Sequence, residues 1–238
     1  VERSRFGGGW QNAGAGAWSD SANWENGVIP GAGSPVYLNN GGTATYNGTP
    51  YAGAVNTGMW YAVHGGMSLT GGGYTALPTF ADAYVRMGVG AGSAFTLGLA
   101  GGTFTTGGNT LRPGDTAGAT GTINLNAGGR LVTPRLQKGS GTAYLNADGG
   151  TLQAVSTAAD FLQGLDSAKV KAGGLTFDVP TNVTVSVSQA LQEDSSSRGG
   201  GLSKTGMGSL NLVGANTVTG ALAVAGGSLV IQPGALST

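Results

Sequence analysis

Ile123-Asn124-Leu125-Asn126-Ala127-Gly128-Gly129-Arg130-Leu131 alternates apolar and polar residues, stops at a glycine pair and resumes on an apolar side chain. A period of two puts Ile123 and Leu125 on one side of an extended strand and the two asparagines on the other. Glycine reaches backbone conformations closed to other residues, so the pair marks a sharp corner. The arrangement recurs. Phe95-Thr96-Leu97-Gly98-Leu99 runs into Gly101-Gly102-Thr103-Phe104, and Tyr144-Leu145-Asn146-Ala147 runs into Gly149-Gly150-Thr151-Leu152. Gly173-Gly174-Leu175-Thr176-Phe177 and Gly226-Gly227-Ser228-Leu229-Val230 follow. The first four pairs, beginning at 101, 128, 149 and 173, lie 27, 21 and 24 residues apart. Such spacing fits the coil of a parallel β-helix, in which two or three short strands per coil bond to their equivalents ~4.8 Å above and below. The expected fold is therefore all-β: a parallel β-solenoid of the usual right hand, with Gly-rich turns. At roughly 24 residues per coil the chain would make about eight or nine coils, a rod of roughly 40 Å.

Composition agrees with this reading and removes its rivals. Of 238 residues 48 are Gly, nearly three times the ordinary usage of about 7%. Collagen needs Gly at every third position and abundant Pro; there are 8 Pro and no such period. Disorder needs low hydrophobicity and high net charge, whereas 39% of residues are hydrophobic and the formal net charge is zero. No basic stripe marks a nucleic-acid partner. No apolar run approaches the ~20 residues of a membrane span, so direct membrane insertion by this segment is not expected. The absence of Cys removes disulfide frameworks, thiolate metal sites and thiol catalysis. Residues 1–10 show no signal-peptide pattern and begin at Val1, which suggests a leader already removed or a fragment of a longer protein.

Residues 1–47 form an aromatic-rich segment with Trp10, Trp18 and Trp24, read as an N-terminal cap. Residues 48–238 form the repeat region. Gln192-Glu193-Asp194-Ser195-Ser196-Ser197-Arg198-Gly199-Gly200-Gly201 reads there as an exposed loop. Residues 157–171 are the best helical candidate, because Phe161, Leu162 and Leu165 recur at three-to-four spacing; a short helix or an excursion loop is expected.

The segment 200–231 carries a sharper pattern. Gly201-Leu202-Ser203-Lys204-Thr205-Gly206-Met207-Gly208-Ser209-Leu210-Asn211-Leu212-Val213-Gly214-Ala215-Asn216-Thr217-Val218-Thr219-Gly220 is followed by Val224 and by Gly226-Gly227-Ser228-Leu229. This resembles the autotransporter-associated β-strand repeat, with Val218 in place of the usual aromatic. Trp10, then Gly16-Ala17-Trp18 through Asn23-Trp24 and Gly27-Val28-Ile29-Pro30, is similar to a common opening of such proteins. The resemblance implies a β-helical passenger and export to the cell surface or medium. It implies no activity, because the family is defined by architecture. Autotransporters end in a membrane barrel, and Ala235-Leu236-Ser237-Thr238 has no such pattern.

Candidate sites each compete with a plainer role. His64, the one His, lacks a His-x-His or His-Glu-x-x-His context and reads as structural. Asp20, Asp82, Asp115, Asp148, Asp160, Asp166 and Asp178 are scattered singly. Carboxylates one coil apart could approach the 5–10 Å of a glycosidase pair, but Asp is also a turn residue. The calcium nonapeptide Gly-Gly-x-Gly-x-Asp is absent. Arg130, Arg135 and Lys138 form the one basic cluster of the repeats; they would line a groove for an acidic sugar, as in a polysaccharide lyase, or merely cover apolar surface. Trp10, Trp18, Trp24, Trp60 and Tyr61 would stack on sugars or plug the end of the solenoid. Polar runs such as Thr103, Thr105, Asn124 and Asn126 are outward strand positions.

No catalytic residue, metal or cofactor is assigned. The first expectation is a secreted or surface-displayed structural protein that associates with itself end to end, by stacking or strand addition, into a fibre or layer. A surface adhesin anchored beyond Thr238 and a polysaccharide-binding or polysaccharide-cleaving protein are the rivals, the last with surface polysaccharide as partner.

Overall fold

The computed structural model describes residues 8–49, 54–77 and 83–236, with the backbone alone at 54–59 and 61. Strand accounts for 54% and helix for 3%, and the parallel sheets wind into a β-solenoid of about seven turns. That is fewer than the eight or nine coils expected from the spacing. Residues 8–30 supply one short strand, Ala15–Ala17, and two 3-10 turns, Ser21–Asn23 and Glu25–Gly27, instead of a full coil.

Each coil visits three faces in order. Face 1 holds Thr120–Asn126, Thr142–Asp148, Ser167–Val170 and Leu191–Glu193. Face 2 holds Arg130–Thr133, Gly150–Ala154, Leu175–Asp178 and Leu202–Thr205. Face 3 holds Thr110–Pro113, Leu136–Gln137, Ala158–Gln163, Thr184–Val187 and Ser209–Leu212. In the earlier coils Gly65–Leu77 and Ala94–Thr105 run continuously from face 1 to face 2 through their glycine corners.

The glycine pairs do two jobs. Gly128 has φ +80°, a conformation costly for a residue with a side chain. Gly129 sits so close to the preceding coil that a Cβ there would lie 2.3 Å from the Leu99 carbonyl oxygen. One glycine turns the chain; the other lets the coils touch.

Alternation then sorts side chains as expected. On face 1 Leu97, Ile123, Leu145, Ala168 and Leu191 stack in register and are buried. On face 3 Val85, Leu111, Leu136, Leu162, Val187 and Leu212 do the same. Face 2 carries Tyr74, Phe104, Leu131, Leu152 and Phe177, and then Lys204 at the next inward position.

Residues 157–171 are neither helix nor excursion. They form the face 3 strand Ala158–Gln163 and the face 1 strand Ser167–Val170. The register against Thr184–Val187 shifts between Ala158 and Leu162, and this bulge turns the adjacent Phe161 and Leu162 both inward. Four steps from Ala158 to Leu162 oppose two from Val185 to Val187, so two extra residues interrupt the period of two, which imitates helical spacing. The expected loop at 192–201 is shorter than read: Gln192 and Glu193 end a face 1 strand, and Asp194 turns the chain by accepting from the N–H and hydroxyl of Ser196 at 2.9 and 2.6 Å.

The aromatic segment is continuous with the solenoid. Val36–Leu38 pairs with residues 60–62, and Thr43–Tyr46 with residues 66–69. Trp10, Trp18 and Trp24 are 0–1% exposed. Trp24 meets Trp10 and Trp18 edge-on at 5.0 and 4.6 Å, and Trp18 meets Tyr46 and Tyr74 at 5.7 and 5.4 Å. Edge-to-face pairs of this kind add to the area they bury. Together they close the first end of the core.

Candidate functional site

The four tryptophans proposed as sugar platforms are corrected here to core residues. Trp10, Trp18, Trp24 and Trp60 are 0–1% exposed, so no ring face is free for a ligand. Trp60 packs on Phe95 and Phe104 at 5.8 and 5.4 Å, and its indole N–H donates to the Arg86 carbonyl at 3.1 Å. The sequence favours the plug over the platform, and the closing of the chain over the rings bears that out.

The basic trio is divided. Arg130 lies on face 2, where it donates to Asp178 and Gln153, both at 2.7 Å. Arg135 and Lys138 flank the face 3 strand Leu136–Gln137. Arg135 donates to Asp160 at 2.7 Å, and Lys138 to Asp166 at 3.1 Å. The Arg135 guanidinium, followed by the Gln137 amide, holds the Asp160 carboxyl below its ordinary value; burial opposes this. The Ala143 N–H, accepted by Asp166 at 2.8 Å, is the first cause of the lowered value of Asp166, and Lys138 adds to it. These are surface pairs one coil apart, of the kind worth about 0–1 kcal/mol each.

The remaining acids serve turns and pairs. Asp148 accepts the Gly173 N–H at 2.9 Å and Asp20 the Ala22 N–H at 2.9 Å. Asp115 pairs with Arg86 and Arg112 at 2.7 and 3.4 Å. Asp82 lies outside the described residues. His64 Nδ1 accepts the Ala94 N–H at 3.1 Å, a contact between successive coils. Among the described residues no group of three or more His, Cys, Asp or Glu is placed to hold a metal ion.

Two buried polar residues went unread in the sequence. Lys204, 1% exposed, stacks in register on Phe177 inside the core. Its ammonium donates to the carbonyls of Thr205, Gly206 and Gly226 at 2.6, 2.8 and 3.2 Å. Burial lowers its pKa from the usual 10.5, and Asp178 works in the opposite direction. Lys204 thus ties its own turn to the next coil. Asn216, also 1% exposed, does the same on face 1: its Oδ1 accepts the Leu191 N–H at 2.8 Å, and its Nδ2 donates to the carbonyls of Gly214 and Ala235 at 2.8 and 2.7 Å. The signal for Lys204 was its place two residues after Leu202, on the inward side of an alternating strand.

The last coil, 221–231, has no aromatic or charged cap in its sequence, and the structure leaves it open. Leu222–Val224 pairs with Leu202–Thr205, and Ser228–Ile231 with Ser209–Leu212. Leu222, Val224 and Ile231 continue the inward columns of Leu202, Lys204 and Leu212, yet are 38%, 51% and 40% exposed. They are core positions with nothing stacked on them among the described residues. Residues 205–238 contain no charged side chain.

The chain matches no known protein family, no curated protein and no solved structure.

Proposed function

We propose that the chain is an extracellular structural β-solenoid that associates with a second copy of itself through its C-terminal edge. The observation that carries this reading is the open core at Leu222, Val224 and Ile231, beside strands paired on one side among the described residues. Proteins that keep sheet edges single place Lys, Pro or inward charges on them; this edge has apolar inward residues and no charge. The zero net charge of the whole chain adds no long-range repulsion to the encounter.

The aromatic plug changes the geometry from that expected. A head-to-tail contact needs both ends open and propagates into a fibre. Here Trp10, Trp18 and Trp24 fill the first end, so the favoured contact is tail to tail, a closed pair about a two-fold axis. Export is supported by the resemblance of residues 200–231 to the autotransporter-associated repeat.

Sedimentation equilibrium tests the reading. The wild-type chain should show a monomer–dimer equilibrium, and Val224→Lys, a charge at the open core position, should sediment as a monomer. A wild type that stays monomeric at every concentration would assign the edge to a following coil of the same chain and overturn the proposal.

A further inference from the structure

Face 3 carries a second outward column beside its buried one. Arg86 opposes Arg112 in register, and Gln137 opposes Gln163. Leu111 pairs with Leu136, and Leu162 with Val187, so the next residues place Arg112 beside Gln137 and Gln163 beside Ser188. Ser188 Oγ donates to Gln163 Oε1 at 3.3 Å, confirming the last step. One polar side chain per coil therefore runs along the rod: two guanidiniums, two amides and a hydroxyl. Where the amides lie, the surface sinks into a groove of ≈ 420 Å³ lined by Gln137, Lys138, Gln163, Gly164 and Ser188.

We propose that this groove binds an acidic polysaccharide lying along the solenoid axis. Three features select that ligand. The Gln137 amide N–H groups go to Asp160, which leaves its oxygen as an acceptor beside the Gln163 amide nitrogen on the next coil, a donor and an acceptor that suit neighbouring sugar hydroxyls. The amides repeat once per coil, ~4.8 Å apart, about the length of one pyranose in an extended chain. The cation in the groove is engaged by an exposed partner that a ligand carboxylate can replace: Lys138 and Asp166 are 30% and 37% exposed, while Arg112, beside the groove at 27% exposed, pairs with the buried Asp115 and adds positive charge without giving up that partner. No aromatic ring lines the groove, so recognition rests on hydrogen bonds and charge. This assignment is independent of the C-terminal edge.

Electrophoresis of the whole chain through gels containing polygalacturonate tests it. Retardation is expected at low salt and should fall as salt is raised. Lys138→Ala with Gln163→Ala should weaken binding by about tenfold or more, the equivalent of roughly 1.4 kcal/mol. Gly164→Asn offers a variant that keeps the fold: Gly164 has φ +76° with open space where its Cβ would be, Asn tolerates that conformation, and the new side chain obstructs the groove. It too should lose retardation while keeping the wild-type circular dichroism spectrum. Absence of retardation by polygalacturonate, or equal retardation of all variants, would overturn the proposal. Equal retardation by neutral dextran would overturn the assignment to an acidic chain.

Discussion

Replacing Lys204 by Met keeps the apolar stem in the face 2 column and removes the ammonium. Two large terms oppose each other at this position. Burying the charge costs several kcal/mol, and burial is what lowers the Lys204 pKa. Against it stand bonds to the Thr205, Gly206 and Gly226 carbonyls, each of a charge-assisted kind worth about 1.5–3 kcal/mol. Removing the donor leaves those oxygens short of a partner, and we expect the last coils to lose about 1–3 kcal/mol. Because neighbouring coils contact only each other, the loss should be local. Hydrogen exchange reads it: Ala225 N–H, bonded to the Lys204 carbonyl at 2.8 Å, and Ser228 N–H, bonded to Gly208 at 3.1 Å, should exchange about tenfold faster for each ~1.4 kcal/mol lost. Amides of Thr142–Asp148 should not change. The sign with pH follows from the same pKa. The native chain binds fewer protons than the unfolded one between the lowered value and 10.5, so this group's contribution to stability rises as pH climbs through that window. Lys204→Met lacks the rise. Unchanged or slower exchange at Ala225 and Ser228 in the variant would refute the reasoning and show that desolvation outweighs the three bonds.

The two halves of a glycine corner should respond differently to substitution. Gly129→Ala forces a Cβ against the Leu99 carbonyl and should cost about 2–3 kcal/mol by chemical denaturation, whereas Gly128→Asn, at φ +80° with its Cβ 3.6 Å from Ala100 O, should cost under about 1 kcal/mol. Trp18→Ala should remove about 3–5 kcal/mol and expose apolar surface at the first end, seen as a gain in binding of a hydrophobic dye. Asp160 and Asp166 have lowered values, so the stability they contribute is present above the ordinary 3.8 and is lost as pH falls through the lowered values; thermal melts from pH 6 to pH 2 should show this loss diminished in Asp160→Asn.

Most of the fold was legible because a solenoid repeats local rules. Alternation placed Leu97, Ile123 and Leu145 on the inner side, and the glycine pairs placed the corners. What escaped lies where local rules compete. The bulge at Phe161 and Leu162 breaks the period of two and so resembles a helix. Lys204 obeys the period, but its charge argues for solvent until the turn carbonyls that receive it are in place. Ion pairs such as Arg130–Asp178, 48 residues and two coil steps apart, depend on the register of three stacked coils, which spacing alone does not give. The face 3 groove is hidden for the same reason: Arg112, Gln137, Gln163 and Ser188 become neighbours only after the coils stack. Clustering by sequence instead joined Arg130 to Arg135 and Lys138, and a corner of the solenoid separates them.

Small-angle X-ray scattering across a concentration series tests the central claim, a solenoid closed at one end and open at the other. About seven turns at ~4.8 Å give a rod of roughly 35 Å. The account predicts that the longest dimension increases with concentration to that of two rods end to end and then stops, and that Val224→Lys abolishes the increase. Growth without a limit would contradict it, because the plugged end would then be taking part in a fibre. A dimension unchanged at every concentration would contradict it as well.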